Sequence, residues 1–488
     1  NLVPSNKRFA FLFSAMSPVA ALPATPILAC QVDSGDTTWI LVSTVLVLGM
    51  CPALAFFEAG MLRAKHTLSI ISQIFVGNVI LSVMWLVFGY TLAFGPSIAG
   101  LIGGPQHFLW IGLSFKECGR NAVNIPSALY ALFQMMFATI TPLLMTGSYA
   151  ERLRWNAFLV FTISWEILVY YPLVHWIWGG GFLQKLGVLD FAGGIVIHTS
   201  AGMGALVVAM YIGQRKDFFV YEGEFPPSNL PLAATGVALL WMGWFGFNGG
   251  SALSCGTTAV SAVVSTHIGA CASAIVWVVL CMRNHRPAAT GIYNGVLAGL
   301  AGITPASGFV NIQATMFIGV VCGLVSYYGV HFSKKRMHID DALDVHWVHG
   351  ATGVVGSLMI GVFGQLETDN FGGIYFNFAA SPKQFGIQVI GVLVAGLYSG
   401  VVTYLILRTM EGVMGDLTHA DGKLDTGLDW VDHGEVAYHQ LAILPTEETV
   451  GSILPSETSY MRHRPAAGSG QAGRRSELEE HYQGGGHL

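Results

Sequence analysis

Between residues 38 and 409 the chain is a succession of apolar runs, too long and too closely spaced for a water-soluble fold. They fall at roughly 38–62, 68–95, 127–149, 155–178, 190–212, 230–250, 256–282, 289–304, 311–333, 342–365 and 385–409. A helix needs about 20 mostly apolar residues to cross the roughly 30 Å hydrocarbon core of a bilayer. Most of these runs meet that length. Only 10% of the 488 residues are charged, against about 25% in a soluble domain. The expected fold class is an all-α polytopic membrane protein with eleven transmembrane helices. Its 60 glycines suit helices that approach closely in lipid.

The loops orient the chain. With the N-terminus outside, eleven basic residues fall on the inner side: Arg63, Lys65, Arg152, Arg154, Arg215, Lys216, Arg283, Arg286, Lys334, Lys335 and Arg336. Four fall outside: Lys116, Arg120, Lys185 and Lys383. Cytoplasmic loops carry the excess of Lys and Arg, so the prediction is N-out and C-in, in the plasma membrane. Residues 1–30 read as a signal peptide, with Lys7 and Arg8 before a short apolar core. Residues 31–409 form the transmembrane domain and 410–440 a cytoplasmic C-terminal segment. Residues 441–488 are polar and Gly-rich, a disordered composition. A net charge of −5 gives no reason to expect a nucleic-acid partner. The seven cysteines are scattered and form no CxxC, so neither a disulfide framework nor a metal site is expected.

Two apolar runs carry ionisable residues at one spacing. Asp190 and His198 are eight residues apart in "LDFAGGIVIH", and Asp341 and His349 are eight apart in "DALDVHWVHG". The first pair opens a span from outside, the second from inside. "FFEAG" (56–60) and "GFNGG" (246–250) are also loosely alike. An inverted five-plus-five repeat plus one helix accounts for this, an arrangement that transporters use. Eight residues of helix would carry each histidine roughly 12 Å into the membrane, so the two rings are expected to meet near the midplane. Burial disfavours a charged imidazolium. Neutral rings both donate and accept, which suits a proton or a small polar guest. "FQMMF", "WIWGGG" and "FGFNGGS" add aromatic faces, which attract small cations. Glu166 in "ISWEILVYY" is unusual in a span, and a protonated, hydrogen-bonded carboxyl is the expectation for it.

From residue 38 to about 440, the motifs "FFEAGMLRAKHTLS", "HWIWGGGFL", "LDFAGGIVIH", "GWFGFNGGSA", "DDALDVHWVHG" and "GLDWVDHGEVAY" occur in an order and spacing that resemble the ammonium transporter, methylammonium permease and Rhesus superfamily. The ammonium transporter branch is the nearest likeness. That resemblance implies a homotrimer with one pore per subunit and no cofactor. It implies a pore lined by His198, His349 and Trp244, and a gate made by Phe137 and Phe247. Ammonium, with methylammonium as its analogue, would be recruited at Phe133, Phe137, Trp178 and Ser251. Asp190 would support that outer site by capping a helix. The C-terminal segment would pack beneath the trimer and could meet a PII-type regulator. Rival readings are an ammonium sensor (transceptor) and a Rhesus-like neutral gas channel. An intramembrane enzyme is disfavoured, because the chain has no HExxH and "HGEVAYH" has the wrong spacing for a zincin.

Overall fold

The computed structural model describes residues 30–284, 286–364 and 381–438. Of the expected signal peptide, 1–30, only Cys30 is among the described residues, and the expected tail at 441–488 lies outside them. Among those described, nine helices are long and apolar enough to cross a membrane. They are α1 (Ser34–Met61), α2 (Ala64–Phe94), α3 (Ser127–Tyr149), α4 (Trp155–Leu186), α5 (Gly194–Ile212), α6 (Leu230–Gly250), α7 (Thr257–Arg283), α9 (Ile312–Met337) and α11 (Pro382–Met414). The shorter α8 (Ala289–Ile303) and a helix over 346–363, α10, occupy the eighth and tenth expected spans.

Several boundaries differ from the sequence reading for physical reasons. Helix α5 begins at Gly194, because the Asp190 carboxylate binds the first turn's N–H groups from outside the helix. Each histidine therefore lies closer to its helix start than the expected 12 Å. Helix α11 runs five residues past 409, to Met414, so the expected division at 409/410 falls inside a helix. There the Arg408–Glu411 pair lets the polar end of the helix continue.

The cysteine expectation is corrected. Cys30 and Cys118 form a disulfide. Their 88-residue separation hid the pairing. The chain after Cys30 runs beside residues 123–124, with Gln31 N donating to Val123 O and Asp33 N to Asn124 O. This strap leads into α1, whose first turn Asp33 caps through Asp36 N at 2.8 Å.

Glycine sets the closest helix contacts. On α6, a Cβ at Gly236 would stand 2.3 Å from Phe57 N of α1. Where α5 crosses α10, a Cβ at Gly202 would stand 2.2 Å from Gly350 Cα. Without side chains the two backbones touch there, beside His198 and His349.

The basic loops gather at one end. Arg215 pairs with Asp340 at 2.8 Å and Glu151 at 3.2 Å, and Arg63 pairs with Glu151 at 2.7 Å. Burial pushes the Glu151 and Asp340 carboxyls up, but Arg215 and its neighbours outweigh it and hold both below the usual range. The C-terminal segment docks on this end. Asp425 takes Lys216 at 2.7 Å, Asp429 accepts from Ser69 N at 2.8 Å, and Leu428 N donates to His66 Nδ1 at 3.3 Å.

Candidate functional site

The site is assembled from the starts of α5 and α10. The first N–H groups of a helix have no partner inside it. At α5 one carboxylate satisfies three of them and also the N–H of Gly193 just before the helix. Asp190 Oδ1 accepts from Gly193 and Gly194 at 2.9 and 2.7 Å, and Oδ2 from Ile195 and Val196 at 2.8 and 3.0 Å. A negative charge at this end also suits the helix dipole. At α10, Asp341 Oδ2 accepts from His346 N at 2.8 Å. Burial first, and Asp344 second, push the Asp341 carboxyl up to about 6. Both helices open with a π turn, Gly194–Thr199 and His346–Ala351. Each π turn contains one of the two histidines.

His198 and His349 meet, Nδ1 to Nδ1, at 3.3 Å, with ring centroids 5.3 Å apart. Both are buried. For neutral rings, this contact requires one Nδ1 to carry the proton and the other to accept it. In either arrangement one ring then presents a bare Nε2 and the other an Nε2–H. The pair thus offers an acceptor and a donor. His198 Nε2 has no protein partner.

An aromatic column continues from this pair. Trp244 stacks on His198 at 5.5 Å, with its N–H committed to Thr304 Oγ1 at 2.8 Å. Phe247 lies 6.0 Å from His198 and 4.5 Å from Phe137, and Phe137 meets Phe133 edge-on at 4.9 Å. Ser251 lies one turn beyond Phe247 and donates to its carbonyl at 2.8 Å. The Phe133 ring packs on Gly250, next to Ser251. Trp178 joins differently. It stacks on none of these rings among the described contacts, but its Nε1 donates to Asp190 O at 2.9 Å. The nine residues singled out from the sequence therefore form two connected groups, the column and the Trp178–Asp190 link at the head of α5.

Beside the histidines is a cavity of about 20 Å³, room for about one water-sized guest. Met50, Leu54, Phe57, Ile140, Leu144, Leu240 and Leu297 complete its wall with Phe247 and Trp244. Sequence reasoning missed these residues, because nothing in the sequence separates them from other apolar residues. Apart from the two histidines, the described lining contains no ionisable side chain. Glu166 is fully buried, and its carboxyl faces the Tyr171 hydroxyl, in keeping with the expected hydrogen-bonded carboxyl.

The profile of the Ammonium Transporter Family matches residues 38–438. Ammonium transporter 1 of Dictyostelium discoideum is 55% identical over 429 residues, covering 88% of this chain and 92% of its own. The chain belongs to the ammonium transporter family. The crystal structure of Saccharomyces cerevisiae Mep2 is similar at a TM-score of 0.73 and 32% identity, covering 80% of this chain and 89% of its own. A structure titled Sensor Amt Protein matches at a TM-score of 0.75 and 28% identity, covering 82% and 98%. Within this family the apolar helices are those of a multi-pass membrane protein, and transport rather than enzymatic turnover is the family's business.

Proposed function

We propose that the protein carries ammonium across the plasma membrane as ammonia, with the basic end and C-terminal segment in the cytoplasm. Ammonium is recruited by Phe133, Phe137, Trp178 and Ser251, at the end where Asp190 braces Trp178. Phe137 and Phe247 form the gate. Beyond it the cation gives up a proton, and ammonia moves along His198 and His349 past Trp244. The single observation that carries this reading is the histidine contact. Two rings joined Nδ1 to Nδ1 at 3.3 Å present their polar edges in an otherwise apolar cavity.

The energetics favour a neutral guest. Taking an unpaired ion into such a medium has an idealised cost of order 20 kcal/mol. A neutral hydrogen-bonding molecule costs only about 2–7 kcal/mol without compensation, and an imidazole bond offsets part of this. Potassium cannot shed a proton, so this route excludes it. Methylammonium can, and serves as an analogue. The chain would work as a homotrimer with one pore per subunit. Residues 410–440 would act as a regulatory segment, docked as described above, and a PII-type protein is a candidate partner for it.

A second reading is an ammonium sensor, favoured by the fold shared with the structure that carries that title. Proteoliposomes given an ammonium jump separate the readings. Inward current marks an electrogenic carrier, and uptake without current a neutral, Rhesus-like channel. Ammonium binding with neither refutes transport and leaves the sensor.

A further inference from the structure

Residues 251–256 join α6 to α7. The chain turns tightly as it leaves α6, with Ser251 N donating to Asn248 O at 3.1 Å and Leu253 N to Gly250 O at 2.9 Å. Leu253 has a φ of 54°, a left-handed conformation that a residue with a Cβ disfavours. Such a conformation persists where the surroundings hold it. Three side chains from outside the segment hold this one.

Asp36, in the first turn of α1, uses both carboxyl oxygens. Oδ1 accepts from Cys255 N at 2.6 Å, and Oδ2 accepts from Asn124 Nδ2 at 2.7 Å. The same Asn124 Nδ2 donates to Leu253 O at 2.7 Å. An amide NH2 has two hydrogens, and here both are used. One turn along α1, Trp39 Nε1 donates to Gly249 O at 3.0 Å. The backbone on both sides of Ser251 is thus tied, at residues 249, 253 and 255, to α1 and to Asn124.

The anchors are themselves fastened together. Asp33 N donates to Asn124 O at 2.9 Å, while Asp33 Oδ1 accepts from Asp36 N at 2.8 Å. These bonds set Asn124 beside Asp36. The Cys30–Cys118 disulfide secures the strap that carries Asp33.

The chemistry of Ser251 makes its position matter. Its hydroxyl proton is directed at Phe247 O, at 2.8 Å. Its lone pairs are left to accept, and ammonium presents N–H donors only. A displaced turn would re-aim those lone pairs without removing any ring of the aromatic column. Asp36, Asn124 and Trp39 are absent from the described lining of the cavity beside the histidines.

We propose that Asp36, Asn124 and Trp39 are positioning residues for ammonium capture. They hold the Ser251 turn in the geometry that binds the cation, and so set its affinity without touching it. This rests on the recruitment reading above.

The test uses the full chain in proteoliposomes, with methylammonium as the probe and KM and maximal rate read separately. Loss of binding alone raises KM and leaves the maximal rate unchanged, whereas a folding defect lowers the maximal rate. A displacement of about 1 Å can cost about a hundredfold, so Asp36→Ala should raise KM about tenfold. Its maximal rate should stay within about twofold of wild type. Asn124→Ala and Trp39→Phe should shift KM in the same direction. Asp36→Asn keeps an acceptor for Cys255 N and should recover part of the affinity. Members of one network do not add, so the Asp36→Ala/Asn124→Ala pair should raise KM about as much as the larger single change. In a Ser251→Ala background, Asp36→Ala should add less than about twofold. Should Asp36→Ala fail to insert, Asn124→Ala and Trp39→Phe decide by the same KM. Wild-type KM in these variants, a loss confined to maximal rate, or an undiminished effect on top of Ser251→Ala would each overturn the proposal. If Ser251→Ala keeps the wild-type KM, the recruitment reading falls and this inference with it. If Ser251→Ala raises KM and Asp36→Ala does not, this inference alone falls.

Discussion

Replacing His198 with Asp tests whether selectivity depends on a neutral, proton-sharing pair. The 3.3 Å contact with His349 would be replaced by an acceptor-only carboxylate beside the same cavity of about 20 Å³. A cation entering that space would lie about 4 Å from the carboxylate. At an effective dielectric constant of about 20, two unit charges at that distance attract by about 4 kcal/mol. Each 1.4 kcal/mol is a factor of about ten, so the potassium-to-ammonium ratio can rise by up to about a thousandfold. It should rise by at least tenfold after losses to imperfect geometry. His198→Ala supplies no new charge and leaves His349 Nδ1 without its partner. It should slow ammonium flux while continuing to exclude potassium. The assay is the ratio of potassium to ammonium current or uptake in wild type and both variants. If His198→Asp conducts ammonium and still excludes potassium as well as wild type, the histidine pair does not set selectivity.

Phe247→Ala removes the 4.5 Å contact with Phe137. Misplacing a reacting group costs about a hundredfold at worst, so methylammonium uptake should fall about tenfold with the assembly intact; an unchanged uptake would remove Phe247 from the gate. Glu151 and Asp340 have carboxyls that folding holds below the usual range. Their stabilising contribution is therefore present above the unfolded values of about 4, and it disappears as pH falls through the lower folded values. Thermal unfolding should show a loss below about pH 4 that Asp340→Asn reduces by the share of Asp340 while the share of Glu151 remains; acid sensitivity equal in that variant and wild type would contradict the Asp340 pairing. Truncation after Met410 removes the Asp425–Lys216 and Asp429–Ser69 contacts and should lower transport without preventing insertion, whereas truncation after Leu441 should do little; equal losses from both cuts would count against a regulatory role for the segment between them.

The long apolar runs, the basic end and the spacing of Asp190–His198 and Asp341–His349 were all legible in the sequence, because each is a local pattern along one chain. A run of apolar residues can satisfy its backbone only as a helix in lipid, so the runs become helices whatever their neighbours are. A carboxylate placed just before a helix meets the unpaired N–H groups that every helix start presents. The Cys30–Cys118 bond was not legible, because a pairing across 88 residues depends on where the strap folds. Nor were the aliphatic cavity walls, since Leu54 and Leu144 read like any other apolar residues on a span.

The sequence by itself determined the helices, the composition of each span and the motifs that relate it to a family. The tertiary structure alone decided which side chains meet. His198 and His349 are 151 residues apart, and they touch because Gly202 and Gly350 let two backbones come together without side chains between them. The Tyr171 ring of α4 likewise packs against α2 because Gly89 leaves space for it. Local propensity fixes a helix within its own turns, but a contact between helices depends on the shapes of both. Only packing in three dimensions brings those shapes together.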